Sequence, residues 1–255
     1  MQTSFKIPFK FTGDPVASAR VQGVEVERCV LDTGAANTVM RLPSDEKRFY
    51  FNVNSSGFAH IESCKVENIE FGPIHARIKY ADGLKAPEIY LGSEEMKKYC
   101  VTFDYKESVA EFTQHPLLHE FIDVSSLGFS HGRPIVSIQL GGSLKQFVLD
   151  SGSNGNWLFF HTQTEDLLEQ GRTQDKNDVA ECGLGNIVIQ KEFVHPCLEL
   201  GGKTIKSMAF NLADQFSFGG HANTLEDGII GTGYFESSLY RVHTFDFISM
   251  KYRMA

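Results

Sequence analysis

The feature that most constrains this chain is a short pattern that occurs twice. Val30-Leu31-Asp32-Thr33-Gly34 in the first half matches Val148-Leu149-Asp150-Ser151-Gly152 in the second, and the two aspartates lie 118 residues apart (150 − 32) in a chain of 255. Each triplet follows an apolar run, Cys29-Val30-Leu31 or Phe147-Val148-Leu149. A single acidic triplet at a strand end is ordinary turn chemistry. Two copies in the same setting predict two related lobes, each donating one carboxylate to a shared site.

Other elements recur in the same order. Thr102-Phe103-Asp104-Tyr105 matches Thr244-Phe245-Asp246-Phe247, and Ile89-Tyr90-Leu91-Gly92 matches Ile229-Ile230-Gly231. Ser56-Gly57-Phe58 and Gly183-Leu184-Gly185 each lead into an alternating run, ending in Phe71-Gly72 and Leu200-Gly201-Gly202. The repeat divides the chain into an N-terminal lobe at 1–115, a connector at 116–131 and a C-terminal lobe at 132–255. Lobes of about this size are ordinary domains, and together they can bury a substantial core. The second half is the longer, mostly through a polar segment from Thr162 to Val179.

Strand signals dominate. Ile7 to Phe11 and Ile135 to Leu140 are short apolar or alternating runs, and each leads through glycine (Gly23, or Gly141-Gly142) into the strand that carries a triplet. His60 to Tyr80 and Asn186 to Leu212 read as hairpins around a glycine turn. Short helices are expected at Ser93 to Tyr99, with Ser93 as its cap, and at Gly233 to Tyr240. Further helical turns are expected at Pro116 to Phe121 and Thr164 to Gln170.

Charge and composition narrow the function. The net charge is −8 with no basic cluster, so no nucleic-acid partner is expected. No apolar run approaches the roughly 20 residues of a membrane span. Met1-Gln2-Thr3-Ser4 has no apolar leader behind it, which fits a cytoplasmic chain or one whose leader has been removed. The five cysteines at positions 29, 64, 100, 182 and 197 have no ligand spacing and read as buried thiols; no metal and no cofactor are expected.

The paired triplets suggest a definite chemistry. Two carboxylates about 3 Å apart cannot both ionise cheaply, so they share a proton and titrate as a unit. The ionised member can take a proton from water while the other donates one. Holding two acids face to face needs tight turns, for which Gly34 and Gly152 offer backbone freedom. Thr33 and Ser151 offer hydroxyls that can brace the two loops across the lobe interface. Asp104 and Asp246 read as structural turn acids, and Asp227-Gly228 as a turn.

With both triplets, both apolar-apolar-Gly elements and both Thr-Phe-Asp strands in view, the chain resembles the retropepsin-like aspartic peptidases, in the form of a bacterial-type single chain with two fused retropepsin-like halves. Pepsin shares the two-lobe logic but is longer. The resemblance covers roughly Phe5 to Met254. It implies a mainly β, two-lobed pepsin/retropepsin-like acid protease fold with pseudo-two-fold related lobes and a few short helices. It further implies a monomeric endopeptidase that acts on peptide or protein substrates through water activated by an intramolecular Asp32/Asp150 dyad. The alternative is a catalytically inactive peptide- or protein-binding module of the same fold. Active-site support carries over to Thr33, Gly34, Ala35, Ser151, Gly152 and Ser153; of the residues that follow the triplets, Ser153 has a hydroxyl to give its aspartate and Ala35 has none. Leu91-Gly92 and Ile230-Gly231 take the place of the family's loop behind each triplet. The family's substrate-covering flaps correspond to Gly57 and Phe58 in the first half and to Gly183, Leu184 and Gly185 in the second. The chain departs from the family at Glu88-Ile89-Tyr90, where Asp-Gly is usual, and in the Thr162–Val179 segment, which is placed to cover the cleft or alter access.

Overall fold

A computed structural model of the chain describes residues 4–46, 51–115, 121–140, 143–154, 157–160, 172–182, 185–200, 203–213, 226–237 and 240–255, with the backbone alone for the strands within 157–213. Strands dominate, as the alternation predicts. In the first half, β1 (Ser4–Pro8) is followed by β2 (Lys10–Phe11), β3 (Pro15–Val21), β4 (Val24–Leu31), β5 (Thr38–Pro43), β6 (Phe58–Ile61), β7 (Cys64–Val66), β8 (Ile69–Glu70), β9 (Ile74–Ala81) and β10 (Glu88–Leu91). All of these except β1 form one sheet, in the order β6-β9-β5-β10-β4-β3-β7-β8 with β2 on β3. The β3–β4 hairpin turns on Gln22 and Gly23, both at positive φ, as a two-residue turn between twisted strands requires. Along β9, Ile74, Ala76 and Ile78 face the core while His75, Arg77 and Lys79 face out, the period-two pattern of a half-buried strand.

The remaining strands are β11 (Cys100–Asp104), β12 (Val109–Thr113), β13 (Ile122–Ser130), β14 (Arg133–Leu140), β15 (Ser143–Asp150), β16 (Trp157–Phe160), β17 (Arg172–Cys182), β18 (Gly185–Leu200), β19 (Lys203–Ala213), β20 (Gly228–Gly231), β21 (Val242–Asp246) and β22 (Lys251–Met254). With β1 they form a second sheet, β1-β12-β11-β21-β22-β13-β14-β15-β20-β16-β19-β18-β17. Its first six strands come three from each half. They meet where β11 lies antiparallel to β21, with Thr102 opposite Thr244 and their hydroxyls 2.9 Å apart. These are matching residues of the repeat, so the pseudo-two-fold axis runs between them. Asp104 accepts the N–H groups of Lys106 and Glu107, and Asp246 those of Ile248 and Ser249, so both repeated acids hold the hairpin turns that follow them. Phe103, Phe235 and Tyr252 pack against Phe245 at this junction, and Phe112 and Phe147 are likewise fully buried. Truncating any one of the phenylalanines to alanine costs about 3–5 kcal/mol in typical cores.

Several local expectations change. The helix expected at Ser93 to Tyr99 is a single turn, α1 (Ser93–Met96), and its cap is Gly92; the Ser93 hydroxyl is committed elsewhere. The second helix, expected at Gly233 to Tyr240, is α2 (Thr232–Ser237). The helical turn expected at Thr164 to Gln170, and all but the last residue of that at Pro116 to Phe121, lie outside the described residues. Within the stretch read as a connector, Ile122–Ser130 form β13. The polar segment from Thr162 becomes a strand from Arg172 onward, where it pairs with β18 at the edge of the sheet. Asp227, read as a turn residue, accepts the Gln146 N–H at 2.6 Å and donates its own N–H to the Gln146 carbonyl, tying β20 to β15. Cys29, Cys64 and Cys100 are buried free thiols, and burial pushes Cys64 up to about 12. Among the described residues no helix is long and apolar enough to cross a membrane.

Candidate active site

The two triplets sit at the ends of β4 and β15, and each half frames its loop alike. In the first, β10 lies parallel to β4 and antiparallel to β5; in the second, β20 lies parallel to β15 and antiparallel to β16. The Asp32 N–H donates to the Leu91 carbonyl at 3.0 Å, and Asp150 stands opposite Gly231. The apolar-apolar-Gly elements therefore do lie behind the triplets. Gly92 has no room for a side chain, since a Cβ there would sit 2.5 Å from the Asn37 backbone.

The loops are joined by a closed set of four hydrogen bonds. The Thr33 N–H donates to the Ser151 hydroxyl at 2.9 Å, and the Ser151 N–H to the Thr33 hydroxyl at 2.9 Å. Each hydroxyl then donates across the interface, Thr33 to the Leu149 carbonyl at 2.8 Å and Ser151 to the Leu31 carbonyl at 2.6 Å. All four groups are buried, so each bond also avoids the penalty of an unpaired polar group. A second ring of contacts repeats the symmetry. The Ser93 N–H donates to the Ala35 carbonyl, and the Thr232 N–H to the Ser153 carbonyl, both at 2.7 Å. The Ser93 hydroxyl donates to the Gly132 carbonyl at 2.6 Å, while the Thr232 hydroxyl lies against the carbonyls of Gly13 and Ser153. Turns 12–14 and 131–133 thus each pack on the triplet loop of the opposite half, with Gly13 against Asn154 and Gly132 against Ala36.

This frame brings the Asp32 and Asp150 carboxyls face to face, each against the triplet glycine of the other half and close enough to shift the other's ionisation. The glycines beside them are required for space, not for backbone freedom. Neither Gly34 nor Gly152 is at positive φ, but a Cβ on Gly34 would lie 2.0 Å from the Asp150 carboxyl carbon, and one on Gly152 would lie 2.3 Å from that of Asp32. Backbone N–H groups reach both acids: Ala35 donates to Asp32 and Gly152 to Asp150, each at 2.9 Å. Asp32 is 4% exposed and Asp150 is partly exposed. Burial pushes Asp32 well above the usual carboxylate range, and the Asp150 charge adds to this against the Ala35 N–H. Burial also raises Asp150, but the Gly152 N–H, the bond from Asp32 and the Arg133 guanidinium all pull it back. Both carboxyls are therefore harder to ionise than a carboxylate in water.

Sequence reading missed the charges around the pair. Arg133 pairs with Glu226 at 3.0 Å, and Arg28 with Asp14 at 2.8 Å, both largely out of water. The signal was present as a repeated Gly-x-Pro, Gly13-Asp14-Pro15 and Gly132-Arg133-Pro134, ahead of each triplet. Of the flap candidates, Gly57 closes a tight turn in which the Asn54 side chain accepts the N–H groups of Ser56 and Phe58, and Phe58 opens β6. Gly185 opens β18 opposite Cys182; Gly183 and Leu184 lie outside the described residues.

No family model matches the chain, and no curated protein matches it. Among solved structures, the aspartic proteinase from Irpex lacteus aligns with 99% of this chain and 97% of its own, at a TM-score of 0.55 and 13% sequence identity. The likeness is one of fold: mainly β, two-lobed and pepsin-like, with pseudo-two-fold related lobes.

Proposed function

We propose that the chain is an aspartic endopeptidase of retropepsin-like type, in which two fused halves supply Asp32 and Asp150 to one intramolecular dyad. The observation that carries this reading is the pair of facing carboxyls held by reciprocal Thr33 and Ser151 bonds. In the proposed reaction, water attacks the peptide carbonyl carbon. The ionised aspartate takes a proton from the water, and the protonated one gives its proton to the carbonyl oxygen. The tetrahedral product then collapses. The first aspartate returns its proton to the amide nitrogen, the carbon–nitrogen bond breaks, and the second recovers its proton as the carbonyl reforms. No further proton donor and no covalent intermediate is needed. The chain acts as a monomer in this reading, since it already holds both acids, and its substrates are peptides or proteins. The bacterial-type single-chain architecture and the roles of Thr33, Gly34, Ala35, Ser151, Gly152 and Ser153 belong to the same proposal.

Hydrolysis of an unfolded protein substrate tests it. Asp32→Asn and Asp150→Asn should each lower kcat/KM by about 10²- to 10⁴-fold with an unchanged thermal transition, and the double variant should be little worse than either single one. A single variant that keeps most of its activity defeats the shared-dyad reading. A wild-type chain that binds peptide but never cleaves it would instead be a binding module of this fold.

A further inference from the structure

The frame around the dyad is symmetric in hydrogen bonds and asymmetric in charge. In the β3–β4 pair Val16 stands opposite Val30, and in the β14–β15 pair Ile135 stands opposite Val148. Continued two residues past these pairs, the two registers run toward Asp14 beside Asp32 and Arg133 beside Asp150, and each of these charges bears on the aspartate of its own half. Asp14 and Arg133 are themselves equivalent, each sitting between the turn glycine and the proline at the start of the following strand. The repeat has thus set an acid beside one catalytic carboxyl and a base beside the other.

We propose that Asp14 and Arg133 are positioning residues that break the pseudo-two-fold symmetry of the dyad, fixing the shared proton on Asp32 and leaving Asp150 as the carboxylate that activates water. This rests on the peptidase reading above. An anion beside Asp32 opposes its ionisation, and a cation beside Asp150 favours that of Asp150. The unequal exposure works the same way: Asp32 is buried, whereas Asp150 keeps some contact with solvent.

The other charged groups at the site leave this polarity in place. On the first side, Arg28 pairs with Asp14 and with Glu88 (3.4 Å), Glu88 pairs with Arg41 (3.1 Å), and Tyr90 bonds to both of the latter. Each anion there has a cation partner, and Asp14 is the member whose charge bears on Asp32. On the second side, Glu226 pairs with Arg133 at 3.0 Å, and of the two it is the Arg133 guanidinium whose charge bears on Asp150. Tyr105 is buried close enough to feel both Asp14 and Asp150, and its hydroxyl stays protonated.

The test reads the two acids directly, without substrate, by NMR titration of the chain carrying carboxyl-labelled aspartate. Asp14→Asn should move the upper midpoint of the coupled pair down by roughly one pH unit, the low end of what one charge at this range imposes. Arg133→Gln should move the lower midpoint up, and Arg133→Lys, which keeps the charge, should restore it. In an active preparation the same shifts should narrow the bell-shaped kcat/KM profile, Asp14→Asn from its basic side and Arg133→Gln from its acid side. Because Arg133→Gln strands a buried Glu226, Arg133→Gln with Glu226→Gln serves if the single variant does not fold. Midpoints that stay put in folded variants overturn the assignment while leaving the dyad intact. Two aspartates that titrate independently in the wild type would instead overturn the peptidase reading on which it rests.

Discussion

His243 should make the folded chain sensitive to acid by an amount the structure lets one work out. It lies on β21 with no exposed surface, ringed by Phe235, Tyr105, Tyr234 and Tyr252 at centroid distances of 4.8 to 6.0 Å. Its Nε2 faces the Phe235 carbonyl at 3.1 Å, and its Nδ1 faces the Tyr252 hydroxyl at 2.7 Å. A carbonyl can only accept, so Nε2 carries the hydrogen and Nδ1 accepts from Tyr252. The neutral ring is fully satisfied, and burial lowers its pKa to about 4 from the ordinary 6.5. Between those values the unfolded chain binds the proton and the folded chain does not. Stability is therefore unaffected above about pH 6.5 and falls as pH drops toward 4, by a total of about 3 kcal/mol. His243→Gln can imitate both bonds and never charges. Urea unfolding of both proteins at about pH 7 and about pH 4.5 is the assay. The variant should be the less stable at the higher pH, by about 1–3 kcal/mol for imperfect bonding, and should recover about 2 kcal/mol of that deficit at the lower. The dyad's own proton linkage is common to both proteins and cancels. Parallel pH profiles would refute the reasoning, because they would mean that His243 charges as readily inside the fold as outside it.

Two further outcomes follow from the geometry of the site. Thr33→Val and Ser151→Ala each remove the acceptor of one buried N–H and the donor to one buried carbonyl, so each should cost about 1–3 kcal/mol in chemical denaturation, and a double-mutant cycle should show strong coupling; additive losses would mean that the four bonds do not act as one unit. Gly34→Ala and Gly152→Ala should cut hydrolysis far more than their unfolding midpoints suggest, since each new Cβ falls on the opposite carboxyl; retained activity with a cooperative fold would show that the carboxyls can separate and still react.

The frame around the two carboxyls was legible because its parts recur in the sequence. The triplets, the apolar-apolar-Gly elements and the Thr-Phe-Asp strands each occur twice, and the pepsin-like pairing of β10 and β20 behind the triplets follows from them. What escaped the sequence depends on partners far along the chain. Ser93 has the chemistry of a helix cap, yet its hydroxyl serves the Gly132 carbonyl, 39 residues away. Gly34 and Gly152 look like turn glycines and are instead clearances for a carboxyl from the other half. Asp14 and Arg133 resemble each other in position but not in charge, so a search for repeated residue types passes over them. Arg172 to Asp178 is too polar to read as a strand, and it joins the sheet only through pairing with β18 at the edge.

The junction of β11 with β21 has a kinetic consequence. The first-half sheet draws only on residues 10–91 and its contacts are comparatively local, so it can form early and alone. The first six strands of the second sheet cannot, because their central contact, Thr102 with Thr244, spans 142 residues, and closing so long a loop is slow. During synthesis Asp32 therefore waits, already mounted at the end of β4, for a partner whose supporting strands β21 and β22 come more than ninety residues after Asp150. A chain built in this way acquires its second acid in register only when the C-terminal half has closed on the first. If the chain is the peptidase proposed above, this late closure is also the step that switches the chemistry on, and an unfinished chain is kept from cutting its neighbours.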